Sequence, residues 1–274
     1  MNKSAQQKGI SMIELLIALA ISSFLILGIT QIYIDNKQNY LFQQAQSENQ
    51  ENSGFTLMLL EQQLAKAGYR RRPDIDLDDS FSAINGAGCS FLEGQVINSV
   101  DATTLCIRYQ PRAPEEANCT GNGLNDAEKL TIVNAYTIPD PPLSYIERFS
   151  LVIEDDKNEL TCTAAIVTGT VARVSTGVLV EGISDIRYEF GVDTDANQKS
   201  DKFMPNPSPL DKKQRIVSVR YSALVHSQKN VSQGMGSQAF TKWYEHEATP
   251  PAEPSTGRLY QIAGSTLTLR NLMP

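Results

Sequence analysis

Residues 1–34 read MNKSAQQKGISMIELLIALAISSFLILGITQIYI, and the order of chemistry along them decides the reading of the whole chain. A short polar leader carrying Lys3 and Lys8 ends at Gly9, and an apolar run follows from Ile10 to Ile34. As a helix that run is about 37 Å long at roughly 1.5 Å per residue, enough to cross a hydrocarbon core of about 30 Å. A secretory signal would close its apolar run with a small-x-small cleavage site; this run has none, and its helical pattern continues past Ile34. Glu14 is the residue out of place. A carboxylate in an apolar span is costly unless paired, and no basic residue lies between Lys8 and Lys37. An amine freed by cleavage after Gly9 would sit about one helical turn from Glu14, and in a stacked array the amine of a neighbouring copy would also be within reach.

Beyond the anchor the pattern stays helical but turns polar. Leu57, Leu60, Leu64 and Ala67 share one helical face, with Phe55 and Leu59 on an adjacent stripe. The expectation is one helix from Ile10 to Ala67, ended by Gly68 and prevented from continuing by Pro73. With no proline inside it, any local loosening falls to Gly28. Arg70, Arg71 and Arg72 fall near its C-terminus, where the helix dipole and solvent favour cations. Residues 73–100 read as loop. Strand signals follow at Thr103–Tyr109, Lys129–Tyr136, Ser144–Ile153, Glu159–Ala164, Ile183–Phe190, Arg215–His226 and Arg258–Leu269. The expected fold class is α+β: a long N-terminal helix packed on an antiparallel β-sheet globular domain.

The 274 residues suffice for one or two domains with a sizeable core. A formal net charge of -7 gives a surface that repels phosphate, so nucleic acid is disfavoured as a general ligand. Cys89, Cys106, Cys119 and Cys162 form no CxxC pair, and His226 and His246 are the only imidazoles. That spacing suits no zinc site and points to disulfides in an oxidising compartment, with three connectivities open.

Asp193, Asp195, Asn197 and Asp201 alternate like the oxygen ligands of an EF-hand-like calcium loop. Gln198 stands where the turn glycine belongs and Met204 where the bidentate glutamate belongs, so the run reads as a solvated loop. His226 ends a strand and has no nucleophile motif near it, Trp243 and Tyr244 read as packing residues, and Glu115–Glu116 reads as a solvated pair. No nucleophile elbow, phosphate loop or zinc-protease motif occurs. The expectation is no enzyme and no catalytic, cofactor-binding or metal site.

The stretch KGISMIELLIALA (residues 8–20) resembles the class III signal of type IV prepilins. The segments at Ser47–Arg71, Leu179–Asp195 and Gly257–Asn271 are similar to PilW-type minor pilins. The resemblance implies that a prepilin peptidase cuts between Gly9 and Ile10 and that Ile10 is N-methylated, although phenylalanine is usual there. It also gives Glu14 the assembly role of the family's glutamate. It implies a cleaved leader (1–9), a transmembrane half-helix (10–34), a periplasmic half-helix (35–68) and a globular β domain (69–274). It favours pairing Cys119 with Cys162, and hence Cys89 with Cys106. The implied partners are the prepilin peptidase, other minor and major pilins, the inner-membrane assembly platform and, before assembly, membrane lipid. The implied location is the inner membrane, N-terminus in the cytoplasm, and then a surface pilus. The alternatives are a minor pseudopilin of a type II secretion system, a membrane-tethered periplasmic binding module or enzyme, and an adhesin or DNA-uptake module at a pilus tip.

Overall fold

The computed structural model describes residues 11–154, 157–206, 215–231, 237–252, 254 and 257–273. A single helix, α1 (Met12–Leu64), is followed by a short α2 (Leu77–Ser80) and strands β1 (Ile84–Gly86), β2 (Cys89–Phe91), β3 (Ile97–Asp101) and β4 (Thr104–Tyr109). After α3 (Asp126–Thr131) come β5 (Leu143–Glu154), β6 (Lys157–Thr168), β7 (Val171–Glu181), β8 (Ile183–Asp193) and β9 (Lys202–Met204). β10 (Arg215–Asn230), α4 (Gln238–Trp243) and β11 (Arg258–Thr268) complete the chain, with a 3-10 turn at Arg270–Leu272. The fold is α+β, with three antiparallel sheets where the sequence suggested one: β1-β2, β3-β4-β5-β6-β7 and β11-β10-β8-β9.

The two larger sheets share one core with the far end of α1. Leu60 and Leu64 of α1 join Tyr145 and Phe149 of β5, Cys162 and Ile166 of β6, Tyr188 and Phe190 of β8, and Val219 and Tyr221 of β10. The alternate residues of β5 and β6 are buried as well. Ile146, Ala165 and Val167 pack under the β1-β2 hairpin with Cys89 and Phe91. Burial on both faces also takes in polar residues of these strands, Glu147, Ser150 and Thr161. The hairpin lies so close that a Cβ on Gly86 would meet Ile146 Cδ1 at 2.8 Å. A third cluster, Leu224, Phe240, Trp243 and Tyr260, seats α4 on the outer face of β10 and β11.

Three local expectations need correction. Lys129–Tyr136 is not a strand. Asn125 accepts the Glu128 backbone N–H while the Glu128 carboxylate accepts that of Asn125, and this capping box starts α3, which is followed by turns. Residues 73–100 are not mere loop, since they contribute α2, β1, β2 and most of β3. β7, which no periodic signal marked, is an edge strand paired along its length with β6.

Candidate functional site

Among the described residues, nothing packs on the first half of α1. From residue 11 to residue 40 every side chain is exposed, including Phe24 at 77% and Leu27 at 67%. Among the described residues this is the one helix long and apolar enough to cross a membrane. An apolar cylinder left bare in water is unfavourable by about 25 cal/mol per Å², so this surface belongs in lipid or against other helices. Its polar residues suit either setting. The hydroxyls of Ser22 and Thr30 donate to the carbonyls of Ala18 and Ile26, both at 2.7 Å, and Ser23 donates likewise to Leu19. Such back-bonding satisfies a hydroxyl without a partner helix. The helix runs through Gly28 without interruption, so the loosening expected there is not seen.

Glu14 lies in the first turn and is exposed. Among the described residues its side chain has no hydrogen-bond or ion-pair partner. The carboxylate faces the positive end of the helix dipole, which offsets part of its desolvation cost. Gly9 and Ile10 lie outside the described residues.

The second half of α1 is held along a single stripe, Ala45, Asn49, Ser53, Thr56, Leu60 and Leu64. The sequence showed only the leucine end of that stripe; its membrane-proximal end is polar, and Asn49 Oδ1 is left without a partner there. Asn49 donates to the Leu259 carbonyl of β11 at 2.8 Å, and Thr56 donates to Asn52 O at 2.7 Å. Leu57 and Ala67 pack against the core, but Phe55 is exposed. The far end is capped by tertiary contacts. Gly68, at φ +72°, donates to Arg108 O at 3.0 Å, and a Cβ there would press on Val96 and Leu272. The Asn271 amide donates to the carbonyls of Ala65 and Ala67, two of the groups a helix end leaves unpaired.

The arginine cluster behaves differently from expectation. Arg72 pairs with Asp74, and Arg70 donates to the carbonyls of Asn271 and Pro73. Arg71 is 4% exposed and donates to five carbonyls, those of Pro111, Arg112, Ile132, Asn134 and Thr137. Arg71 therefore ties down the loops that flank α3 instead of facing solvent. Glu116 is not solvated either, since its side chain is 9% exposed and pairs with Arg112, whereas Glu115 is exposed and pairs with Lys129.

Disulfides join Cys89 to Cys106 and Cys119 to Cys162, with Cα–Cα distances of 6.1 and 6.3 Å. The first ties β2 to β4; the second ties the loop ahead of α3 to β6. His226 and His246 are not brought together. His226 is buried between Ser184 and Arg258, and His246 is exposed. Trp243 packs with α4's cluster, donates to Asp185 at 2.6 Å and lies under the Arg187 guanidinium.

The carboxylates of Asp193, Asp195 and Asp201 approach within 4.8 Å of one another, while Asn197 turns its carbonyl to the Lys199 N–H. Asp193 is buried rather than solvated, and it accepts the backbone N–H groups of Asp195, Ala196, Asn197 and Gln198. Burial opposes its ionisation, but those donors outweigh it and hold the carboxyl below the usual range. Its oxygens are occupied in shaping the loop.

Residues 150–271 match the family described as Type IV Pilus-assembly protein W, and residues 4–30 match the prokaryotic N-terminal methylation motif. No curated protein matches the chain. Among solved structures it is similar to a type IV-like pilin from Thermus thermophilus, at 13% identity and a TM-score of 0.44, over 83% of this chain and 98% of that one.

Proposed function

We propose that this chain, whose residues 150–271 match the PilW family and residues 4–30 the N-terminal methylation motif, is a structural minor pilin that acts in the initiation of a type IV pilus as part of a priming or tip complex. The observation that carries this reading is the bare first half of α1, continuous with a second half locked onto the β domain. At 53 residues α1 is about 80 Å long, and only its distal part belongs to the domain. The rest is apolar surface that needs lipid first and other helices later.

The proposed path has four parts. Residues 1–9 stay in the cytoplasm, as Lys3 and Lys8 favour, and are removed between Gly9 and Ile10. Residues 10–34 hold the chain in the inner membrane while residues 35–68 and the domain from 69 onward project into the periplasm. The half-helix then leaves lipid for a bundle of pilin helices, exchanging one apolar environment for another. Glu14, which lacks a partner among the described residues, pairs with the N-terminal amine of a neighbour and sets the register. Piliation in turn supports twitching, adhesion or DNA uptake.

Glu14→Val tests this reading. Removing an unpaired carboxylate from an apolar segment leaves insertion and the β domain intact. In cells lacking the native copy, the variant should reach normal membrane levels and fail to restore sheared pili or twitching. Normal piliation at normal protein level would remove the register mechanism.

A further inference from the structure

The end of α1 farthest from the membrane half opens into a cleft of about 430 Å³. Tyr69, Arg70, Arg71, Tyr136, Arg270 and Met273 line it, and among the described residues no acidic side chain does. A shallower groove of about 690 Å³ continues from it along α1 and β11, sharing Arg270 and Asn271 and adding Met58, Leu267 and one carboxylate, Glu61, which forms no ion pair with Arg270. These volumes fall in the range of ligand clefts. In the cleft itself, three guanidinium groups with no lining carboxylate among the described residues stand out in a chain whose net charge is -7.

The three arginines are not equivalent. Arg71 is spent on backbone carbonyls. Arg70 is fixed in place by the carbonyls of Asn271 and Pro73, which leaves its charge uncompensated. Arg270 is exposed, and among the described residues its side chain has no hydrogen-bond or ion-pair partner. Tyr136, 69% exposed, stands beside them and leaves room for an apolar neighbour.

We propose that this cleft receives a short acidic peptide segment of a neighbouring subunit. A carboxylate of the segment takes the planar fork of Arg270, and an adjoining apolar side chain packs against Tyr69, Tyr136 and Met273. A guanidinium matches a carboxylate through two parallel hydrogen bonds, stronger than neutral ones. Charge selects the peptide over nucleic acid. One uncommitted arginine in an acidic chain gives no basic track for successive phosphates, whereas a segment with one or two carboxylates gains locally and is little repelled at distance. The inference rests on the assembly reading for the source of the segment.

The test is a titration of the full chain in detergent micelles with a fluorescein-labelled peptide of alternating glutamate and leucine. The comparison ligands are the glutamine counterpart and a short oligo-dT of equal charge. Saturable, salt-sensitive binding of the glutamate peptide is expected. Arg270→Glu should weaken it at least about tenfold, the cost of one lost charge-assisted hydrogen bond, and the exposed Arg215→Glu should not. Absence of saturable binding, an equal effect of Arg215→Glu, survival of binding in Arg270→Glu, or oligo-dT binding as tightly as the peptide would each overturn the proposal. The titration needs no pilus. Its failure leaves the role of Glu14 standing, and a piliated Glu14→Val strain leaves the titration standing.

Discussion

The Tyr109 hydroxyl donates to Glu147 Oε1 at 2.7 Å, at a point in the core where neither residue is accessible to solvent. The same oxygen accepts the Cys119 backbone N–H at 2.8 Å, and Lys66, at the end of α1, stands 4.0 Å away. Burial raises the Glu147 carboxyl above its ordinary value, against the pull of Lys66, Tyr109 and the Cys119 N–H. A folded-state pKa raised above the unfolded one means that the fold binds the proton better, so this group's contribution falls as pH rises through that window. Glu147→Gln keeps an acceptor for both donors and should change stability at neutral pH by less than about 1 kcal/mol, while flattening its pH dependence. Glu147→Ala strands a buried hydroxyl and a buried N–H and should cost about 2–5 kcal/mol. Denaturant unfolding of the full chain in detergent separates the two.

Arg71 should be the costliest of the three consecutive arginines to replace. Its five carbonyl acceptors lie in the loops on either side of α3, and only that of Asn134 is also bonded by a side-chain hydroxyl, Thr137 Oγ1. Arg71→Met should lose about 3 kcal/mol or more, and Arg71→Lys, with a compact ammonium in place of a fork, should recover only part of that. Arg72→Ala, which removes an exposed pair with Asp74, should fall within about 0.5 kcal/mol of the parent chain. Parallel unfolding curves for the three variants check this order.

His226 confers sensitivity to acid. The Arg258 guanidinium donates to its Nε2 at 2.9 Å, so Nε2 is the acceptor and Nδ1 carries the proton towards Ser184 Oγ. Burial first, and the Arg258 charge second, lower its pKa from 6.5 to about 4. Here the unfolded chain binds the proton better, so stability is full above pH 6.5 and is lost as pH falls towards 4, by about 3 kcal/mol in all. Carboxylates titrate in part of the same window, so the measurement is a difference. His226→Gln should show a shallower loss of stability than the parent chain between those two pH values.

The two disulfides should contribute unequally. Cys119–Cys162 closes 43 residues and Cys89–Cys106 closes 17. Chain entropy makes the first worth about 4 kcal/mol and the second about 3. Paired alanine substitutions, followed by unfolding of each variant, should show that order, and thiol titration of protein from the oxidising side of the membrane should find no free cysteine.

Sequence made the anchor, the long helix and most long strands legible because each is a run of one periodicity over many residues. Thr103–Tyr109 became β4, and Arg215–His226 became the first part of β10. What stayed hidden depended on distant parts of the chain. Asn49, Ser53 and Thr56 look like solvent-facing residues, and only the fold shows them buried, each donating one hydrogen bond to a carbonyl. Leu130, Ile132 and Val133 suggest a strand, yet Leu130 and Val133 are exposed and the capping box at Asn125 governs the segment. That signal was available as an asparagine three residues before a glutamate. The partners of Arg71 are backbone carbonyls from loops far along the chain, and no side-chain pattern announces them.

Processing at Gly9 and entry into a filament, as proposed, would both leave their mark on the mass of the chain. The measurement that tests both most directly is the intact mass of the chain recovered from sheared pili. Expected is a chain that begins at Ile10, carries one added methyl group, and is absent from pili of a strain expressing Gly9→Asp, in which the peptidase is blocked. A chain confined to the inner membrane and still carrying Met1, in cells with an active prepilin peptidase, would contradict the proposal.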